Sequence, residues 1–86
     1  MKAIVREPTD DEKTEAESWP VWEKEPSEFP WEYTDRERFL VIEGQATVSC
    51  DDGDVSFGAG DFVEMPKGLR CTWKIKEKIK KHYDFG

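Results

Sequence analysis

Long apolar runs are missing from this sequence, in which the longest uninterrupted one covers residues 39–42. A transmembrane helix needs about 20 consecutive, mainly apolar residues, so the sequence predicts no membrane partner. Residues 1–6 likewise form no apolar stretch of the length found in a signal peptide. We therefore expect a cytoplasmic protein.

Cysteine and histidine are scarce. The two cysteines, Cys50 and Cys71, do not have a metal-binding spacing and make no disulfide framework. In a reducing compartment we expect them to remain free thiols. The single histidine, His82, falls on the predicted last strand, out of phase with Tyr83. The sequence thus offers few of the nitrogen and sulfur ligands that a metal site uses.

Basic residues are outnumbered by acidic ones. The net charge is −7 at pH 7, and most of the excess acid lies in residues 1–38. A nucleic-acid partner would require a basic face, so the sequence predicts none. Residues 67–81 do contain a basic run. We interpret it as the solvated face of two strands rather than as a phosphate-binding site.

Aromatic residues are abundant by contrast, with four Trp, two Tyr and five Phe in 86 residues. Each such ring can bury roughly 150–250 Å², whereas disordered chains are poor in aromatic residues. The charged content of 38% therefore does not indicate disorder. Because a chain of this length has room for one core only, we expect a single domain over residues 1–86.

Short apolar runs between turn signals predict the fold class. A strand is expected at residues 2–6, and Thr9 and Glu12 then have the spacing of a capping box for one short helical turn. After it, strands separated by turn signals about every eight to twelve residues are typical of a sandwich or barrel. We predict an all-β fold in which residues 1–18 form an N-terminal strand and surface arm and residues 19–86 form the barrel.

The strand layout is clearest in the second half of the chain. Residues 38–50 are interpreted as two strands bent at a glycine and followed by an Asp-Gly hairpin signal. In residues 71–76 strict alternation places the apolar side chains on one face. Residues 79–85 would continue as a separate last strand with Lys81 on its inner face, although one bulge would turn Lys81 to the surface.

Glu37 and Gly44 are separated by six residues, and Trp31 and Tyr33 precede Glu37. This spacing resembles the first motif of the cupins. In that family a glutamate is followed by six residues and a glycine, and two histidines precede the glutamate. Glu37 and Gly44 match the ending of this motif. Counting back, Trp31 and Tyr33 occupy the two histidine positions. Most of the usual metal ligands are therefore replaced.

A second framework resembles the other cupin motif. Gly60, five residues and then Pro66 and Gly68 match its spacing. Cys71 stands at its histidine position and Ile75 at its asparagine position. Both motifs occur in the expected order, and the resemblance implies a single-domain jelly-roll β-barrel.

Further segments resemble the small single-domain cupins that are grouped with the ureidoglycine aminohydrolase cupin domain. The segments that carry this resemblance are residues 19–22, 29–33, 66–73 and 81–83. Together they span nearly the whole chain. The resemblance implies a pocket inside the barrel and a homodimer.

The positions of the replaced ligands indicate where such a pocket would lie. We expect it to be lined by Trp31, Tyr33, Glu37, Cys71, Trp73 and Lys81. Aromatic walls with a few polar groups are typical of small-molecule sites, and the alternative is that these rings are simply core. We expect no cofactor. A divalent metal, held by Tyr33, Glu37 and Cys71, is the disfavoured alternative because indole does not bind metals.

Three functions follow from this reading. The first is a cupin that binds a small metabolite in an aromatic-lined pocket. The second is a metal-dependent cupin enzyme that acts on a ureido or related nitrogen-containing metabolite, as the resemblance implies. The third is a structural or partner-binding dimeric protein. The sequence does not identify the ligand, and it leaves open whether any reaction is catalysed.

Overall fold

The computed structural model describes residues 2–86. Within this range the chain forms seven strands and one short helix. In chain order these are β1 (Ile4–Arg6), α1 (Asp10–Ala16), β2 (Val21–Lys24), β3 (Ser27–Glu32), β4 (Glu37–Cys50), β5 (Gly53–Gly58), β6 (Phe62–Met65) and β7 (Arg70–Phe85). No helix in the described part of the chain is long and apolar enough to cross a membrane.

Helix α1 begins with the capping box that the sequence predicts. The side chain of Thr9 accepts a hydrogen bond from the backbone N–H of Glu12, and the Glu12 carboxylate accepts one from the backbone N–H of Thr9. These bonds satisfy two donors that the helix leaves free at its start. Ala16 at the end of the helix is fully buried, and β1 pairs with β6. Strand β1 therefore belongs to the sheet, and α1 is anchored by the buried side chain of Ala16.

Two long strands organise the sheet. Strand β7 pairs with β3 along residues 70–75 and with β2 along residues 79–82. Strand β4 pairs with β6 near its start and with β5 near its end, and β4 and β7 pair with each other. Each long strand thus contributes to both halves of a sandwich. The structure therefore differs from the sequence-based expectation, in which each of these strands was two shorter ones.

The bend between the two halves lies where β4 and β7 lose their regular register, between Val41 and Ala46. Gly44 has φ +91° there, a conformation that only glycine adopts readily. A Cβ atom on Gly44 would overlap the carbonyl oxygen of Lys78 and lie 2.8 Å from the Cα of Ile79. A bulge and a glycine therefore let one continuous strand turn from one half to the other.

Trp73 lies at the centre of the core between the two halves. Its ring stacks on Phe29 at 6.1 Å and meets Trp22 and Phe57 edge to face at 6.2 and 5.4 Å. Phe39 contacts both Trp73 and Phe57. Such pairs add about 0.5–1.5 kcal/mol each beyond the area that they bury. The predicted all-β jelly roll with at most a short helix is confirmed.

Candidate functional site

A cavity of about 210 Å³ lies between the two halves of the jelly roll. Its walls are aromatic, and its charged side chains are one glutamate and one lysine. The lining residues are Trp22, Phe29, Trp31, Tyr33, Glu37, Trp73, Lys81, Tyr83 and Phe85. Tyr33 lies in the loop between β3 and β4, and the others come from β2, β3, β4 and β7, so the cavity depends on the bend that brings these strands together.

The structure brings together five of the six pocket residues that the sequence predicts, namely Trp31, Tyr33, Glu37, Trp73 and Lys81. Trp31 lies at the mouth, with 48% of its surface exposed. Cys71 does not line the cavity. It pairs directly with Trp31 across β3 and β7, and its thiol donates a hydrogen bond of 3.6 Å to the Trp31 carbonyl. Cys71 therefore lies outside the cavity, next to the lining residue Trp31.

Sequence reasoning missed four lining residues, which are Trp22, Phe29, Tyr83 and Phe85. Tyr83 and Phe85 share the period of two with Lys81, and that alternation could have identified them. Trp22 and Phe29 lie in a segment interrupted by Pro26. No local pattern showed which side of β7 that segment would pair with, because such pairing depends on residues far apart in the chain.

Glu37 and Lys81 form a buried ion pair at one side of the cavity. Glu37 begins β4, and Lys81 faces Val41 on the same strand in the β4–β7 register. The Lys81 Nζ lies 2.9 Å from the Glu37 Oε2. Lys81 is only 5% exposed, and Glu37 is only 2% exposed. Lys81 thus faces inward and pairs with Glu37.

Three aromatic rings surround the Lys81 ammonium. Its Nζ lies 4.1 Å from the ring centroid of Phe39, 4.6 Å from that of Trp73 and 4.8 Å from that of Trp22. These distances fall within the range of cation–π attraction. Burial lowers the pKa of Lys81, and the charge of Glu37 and the hydrogen bond to it oppose that shift. The surroundings thus replace much of the hydration that the ammonium loses.

Tyr33 occupies a fixed position beside the ion pair. Its backbone N–H donates to the Leu69 carbonyl at 2.9 Å, and its own carbonyl accepts from the Gly68 N–H at 2.6 Å. The turn after β6 therefore holds the residue in place. Burial raises the pKa of the Tyr33 phenol, and the charge of Glu37 and the hydrogen bond to it raise it further. The phenol stays neutral and supplies a polar hydroxyl to the cavity wall.

The Cys71 thiol is held in its protonated form. Burial raises its pKa to about 11, and the nearby Cys50 and Glu37 add to the shift. Cys50 lies directly opposite on β4, and burial raises the pKa of its thiol as well. Since the thiolate is the nucleophilic form, Cys71 is poorly suited to attack a ligand at neutral pH.

We expect alkylation of Cys71 by iodoacetamide to be slow at pH 7. Below a pKa of about 11, the thiolate fraction grows about tenfold for each unit of pH, and the rate should rise in proportion between pH 7 and 9. Peptide mass spectrometry measures it, and the chain unfolded in urea provides the control. Alkylation of the folded protein at pH 7 as fast as that of the unfolded chain would contradict the shift.

The side chains around the cavity do not fit the metal that the fold suggests. No group of three or more His, Cys, Asp or Glu residues among residues 2–86 is arranged to hold a metal ion. The set of Tyr33, Glu37 and Cys71 does not form a site either, since Cys71 does not line the cavity and its thiol donates to the Trp31 carbonyl. The Glu37 carboxylate already contacts the Lys81 ammonium.

Two glycine-containing motifs, a jelly roll and a pocket between its halves together define a member of the cupin superfamily. The chain belongs to the EutQ-like cupin domain family, Cupin_3, whose model matches residues 11–83. The comparison with curated proteins gave no match.

Solved structures agree with this assignment. A DUF861 family protein from Thermotoga maritima is 41% identical, with a TM-score of 0.93 over 99% of this chain and 100% of that one. A DUF861 family protein of unknown function from Pseudomonas syringae is 26% identical, with a TM-score of 0.70 over 77% and 29% of the two chains. The Clostridium difficile EutQ protein has the same fold at 23% identity and a TM-score of 0.70, over 76% and 52%.

This chain thus spans about half the length of that EutQ protein. The cupin resemblance deduced from the two motifs is confirmed. The closer relation to the ureidoglycine aminohydrolase cupin domain stays a prediction.

Proposed function

We propose that this protein binds a small, uncharged, mainly aromatic metabolite in the cavity between the two halves of the jelly roll. One observation carries the proposal: the lining consists of seven aromatic side chains and a single buried ion pair. Ligand sites of this kind combine apolar walls with a few fixed polar groups that orient the ligand. Aromatic walls favour a flat ring that can stack or meet them edge to face.

The size of the cavity limits the ligand. Pockets for drug-sized molecules measure about 300–1,000 Å³, and this one measures about 210 Å³. A single ring with one short substituent suits such a volume. Trp31 at the mouth is half-exposed and meets Tyr33 edge to face at 6.4 Å. It is therefore placed to cover a ligand that has entered.

The ion pair determines the charge of the ligand. Glu37 and Lys81 neutralise each other at 2.9 Å. A ligand with a net charge would therefore find no unpaired opposite charge among the residues that line the apolar cavity. Such a group loses its hydration at considerable cost. A neutral polar group is favoured instead, because an amide or hydroxyl group can donate to the carboxylate or accept from the ammonium.

The other two functions from the sequence have less support. The metal-dependent enzyme lacks a suitable set of donor side chains, as described above. The partner-binding protein would use an outer surface, on which the exposed large apolar side chains of the described residues are Ile4, Val21, Trp31, Ile42 and Phe85. The homodimer stays a prediction.

Binding of neutral aromatic probes such as indole and benzamide tests the proposal. We expect them to shift the NMR signals of the indole N–H groups of Trp22, Trp31 and Trp73, while Trp19, which does not line the cavity, serves as the internal reference. Replacing Trp31 by alanine should weaken binding about tenfold, because one aromatic contact with the ligand is lost.

The matched control is Ile42→Ala, since Ile42 is also partly exposed but lies away from the cavity. It should leave the affinity unchanged. If the probes shift Trp19 as strongly as the other three indoles, or if the two variants weaken binding equally, the cavity is not the binding site.

A further inference from the structure

The ammonium of Lys81 lies in surroundings that proteins use to recognise free ammonium ligands. Such sites place a cation over the faces of aromatic rings within about 6 Å of their centroids. Here three rings meet that criterion, and the Glu37 carboxylate lies 2.9 Å from the nitrogen. The group that fills the site, however, belongs to the chain itself. We call Trp22, Phe39, Trp73 and Glu37 the ammonium cage.

We propose that the ammonium cage is a binding site for primary alkylammonium ions and that Lys81 occupies it as a built-in ligand. The residue thereby excludes free amines from the cavity and determines the charge specificity of the pocket. This inference goes beyond the proposed function, because it concerns a cation site and not the neutral ligand beside it.

The connection of the occupant to β7 explains why free amines are excluded. A group attached to the chain competes at an effective concentration set by its tether, which for short tethers is on the order of millimolar or more. The Lys81 side chain is also only 6% exposed, and that of Glu37 is 3% exposed. A free amine would have to displace an ammonium that is already desolvated, paired and surrounded by rings.

Removing the tethered ammonium should expose the specificity of the cage. The change Lys81→Ala keeps Cβ and deletes three methylene groups and the ammonium, which together correspond to n-propylammonium. Both Lys81 and Glu37 line the cavity, so the vacated space is continuous with the route by which a ligand enters. The ion n-propylammonium is therefore the probe that restores the deleted atoms.

The test is a titration of the Lys81→Ala variant with n-propylammonium, followed by the NMR signals of the Trp22 and Trp73 indoles. We expect saturable binding at least about tenfold tighter than that of 1-propanol, which has the same shape but no charge and so lacks both the ion pair with Glu37 and the cation–π attraction. The wild-type protein should show no saturable binding of either compound. Equal affinity of the variant for the ammonium ion and the alcohol would overturn the proposal.

Two matched variants distinguish a charge-specific ammonium site from a cavity that binds by shape alone. In Lys81→Ala/Glu37→Gln the carboxylate is gone, and the preference for the ammonium ion should fall about tenfold. Lys80→Ala alters the neighbouring lysine of β7, whose amine lies 3.7 Å from Glu23 on the surface. It should behave as the wild type. A double variant that keeps the full preference would contradict the ammonium cage as defined, because Glu37 is one of its members.

The Lys81→Ala variant leaves a buried carboxylate without its partner, so it can lose its fold in plain buffer. In that event the same titration is followed by circular dichroism, and n-propylammonium should restore the folded signal while 1-propanol should not. Restoration by neither compound, or by both equally, overturns the proposal. Failure of indole and benzamide to bind the wild type would instead refute the proposed function, so the two failures are distinguishable.

Discussion

Replacing Lys81 by methionine is expected to lower the free energy of unfolding by about 3–5 kcal/mol, because it leaves the Glu37 carboxylate buried without its cation. Methionine fills nearly the same volume, so a new cavity contributes little. In the double variant Lys81→Met/Glu37→Gln neither charge remains, and most of the lost stability should return. Urea unfolding of the wild type, both single variants and the double variant measures this coupling.

The control for this cycle is Lys80→Met, one residue earlier on β7. The Lys80 amine lies 3.7 Å from Glu23, and both side chains are substantially exposed. Surface ion pairs contribute about 0–1 kcal/mol, so the change should be small. If Lys80→Met and Lys81→Met cost the same, the buried pair does not have the importance that we assign to it.

The change Gly44→Ala should destabilise the protein by about 3 kcal/mol or more. Alanine would have to adopt a φ of +91°, and its Cβ would overlap the Lys78 carbonyl oxygen at the bend between the two halves. Backbone atoms cannot move aside as a flexible side chain can. The midpoint of thermal or urea unfolding measures the effect.

Gly60→Ala is the matched control, because Gly60 has φ +93° but no atom within 4 Å of an added Cβ. It should cost only the conformational strain of about 1–2 kcal/mol. The difference between the two variants isolates the close approach of β4 and β7. Equal losses of stability would mean that the bend tolerates a side chain at residue 44 and that the β-bulge alone produces the bend.

Much of the fold could be predicted from local signals in the sequence. The capping box at Thr9 and the strand β1 follow from residues close together in the chain. The continuity of β4 and β7 does not, because the glycine that suggests a break in β4 instead produces a bend within one strand. Register shifts arise from pairing with a distant strand, and no local pattern encodes them.

The candidate site was predictable to the extent that it lies on regular strands. Alternation along β7 placed Trp73 inward, and the cupin motif placed Tyr33 and Glu37. The orientation of Lys81 remained open, because one bulge in its strand would reverse it. Its inward position follows the period of two that β7 keeps along its length, since the buried residues Cys71, Trp73, Ile75 and Ile79 share its face. The members of the ammonium cage come from three different strands, so only the folded structure shows that they surround one nitrogen atom.

The charge preference of the wild-type pocket tests the central claim most directly. Benzamide and benzylammonium have similar shapes and differ in charge, and NMR titration gives the dissociation constant of each from the Trp22, Trp31 and Trp73 indole signals. A pocket whose cation site is filled by Lys81 should bind benzamide at least about tenfold more tightly. Benzylammonium binding as tightly as benzamide, or more tightly, would contradict the account.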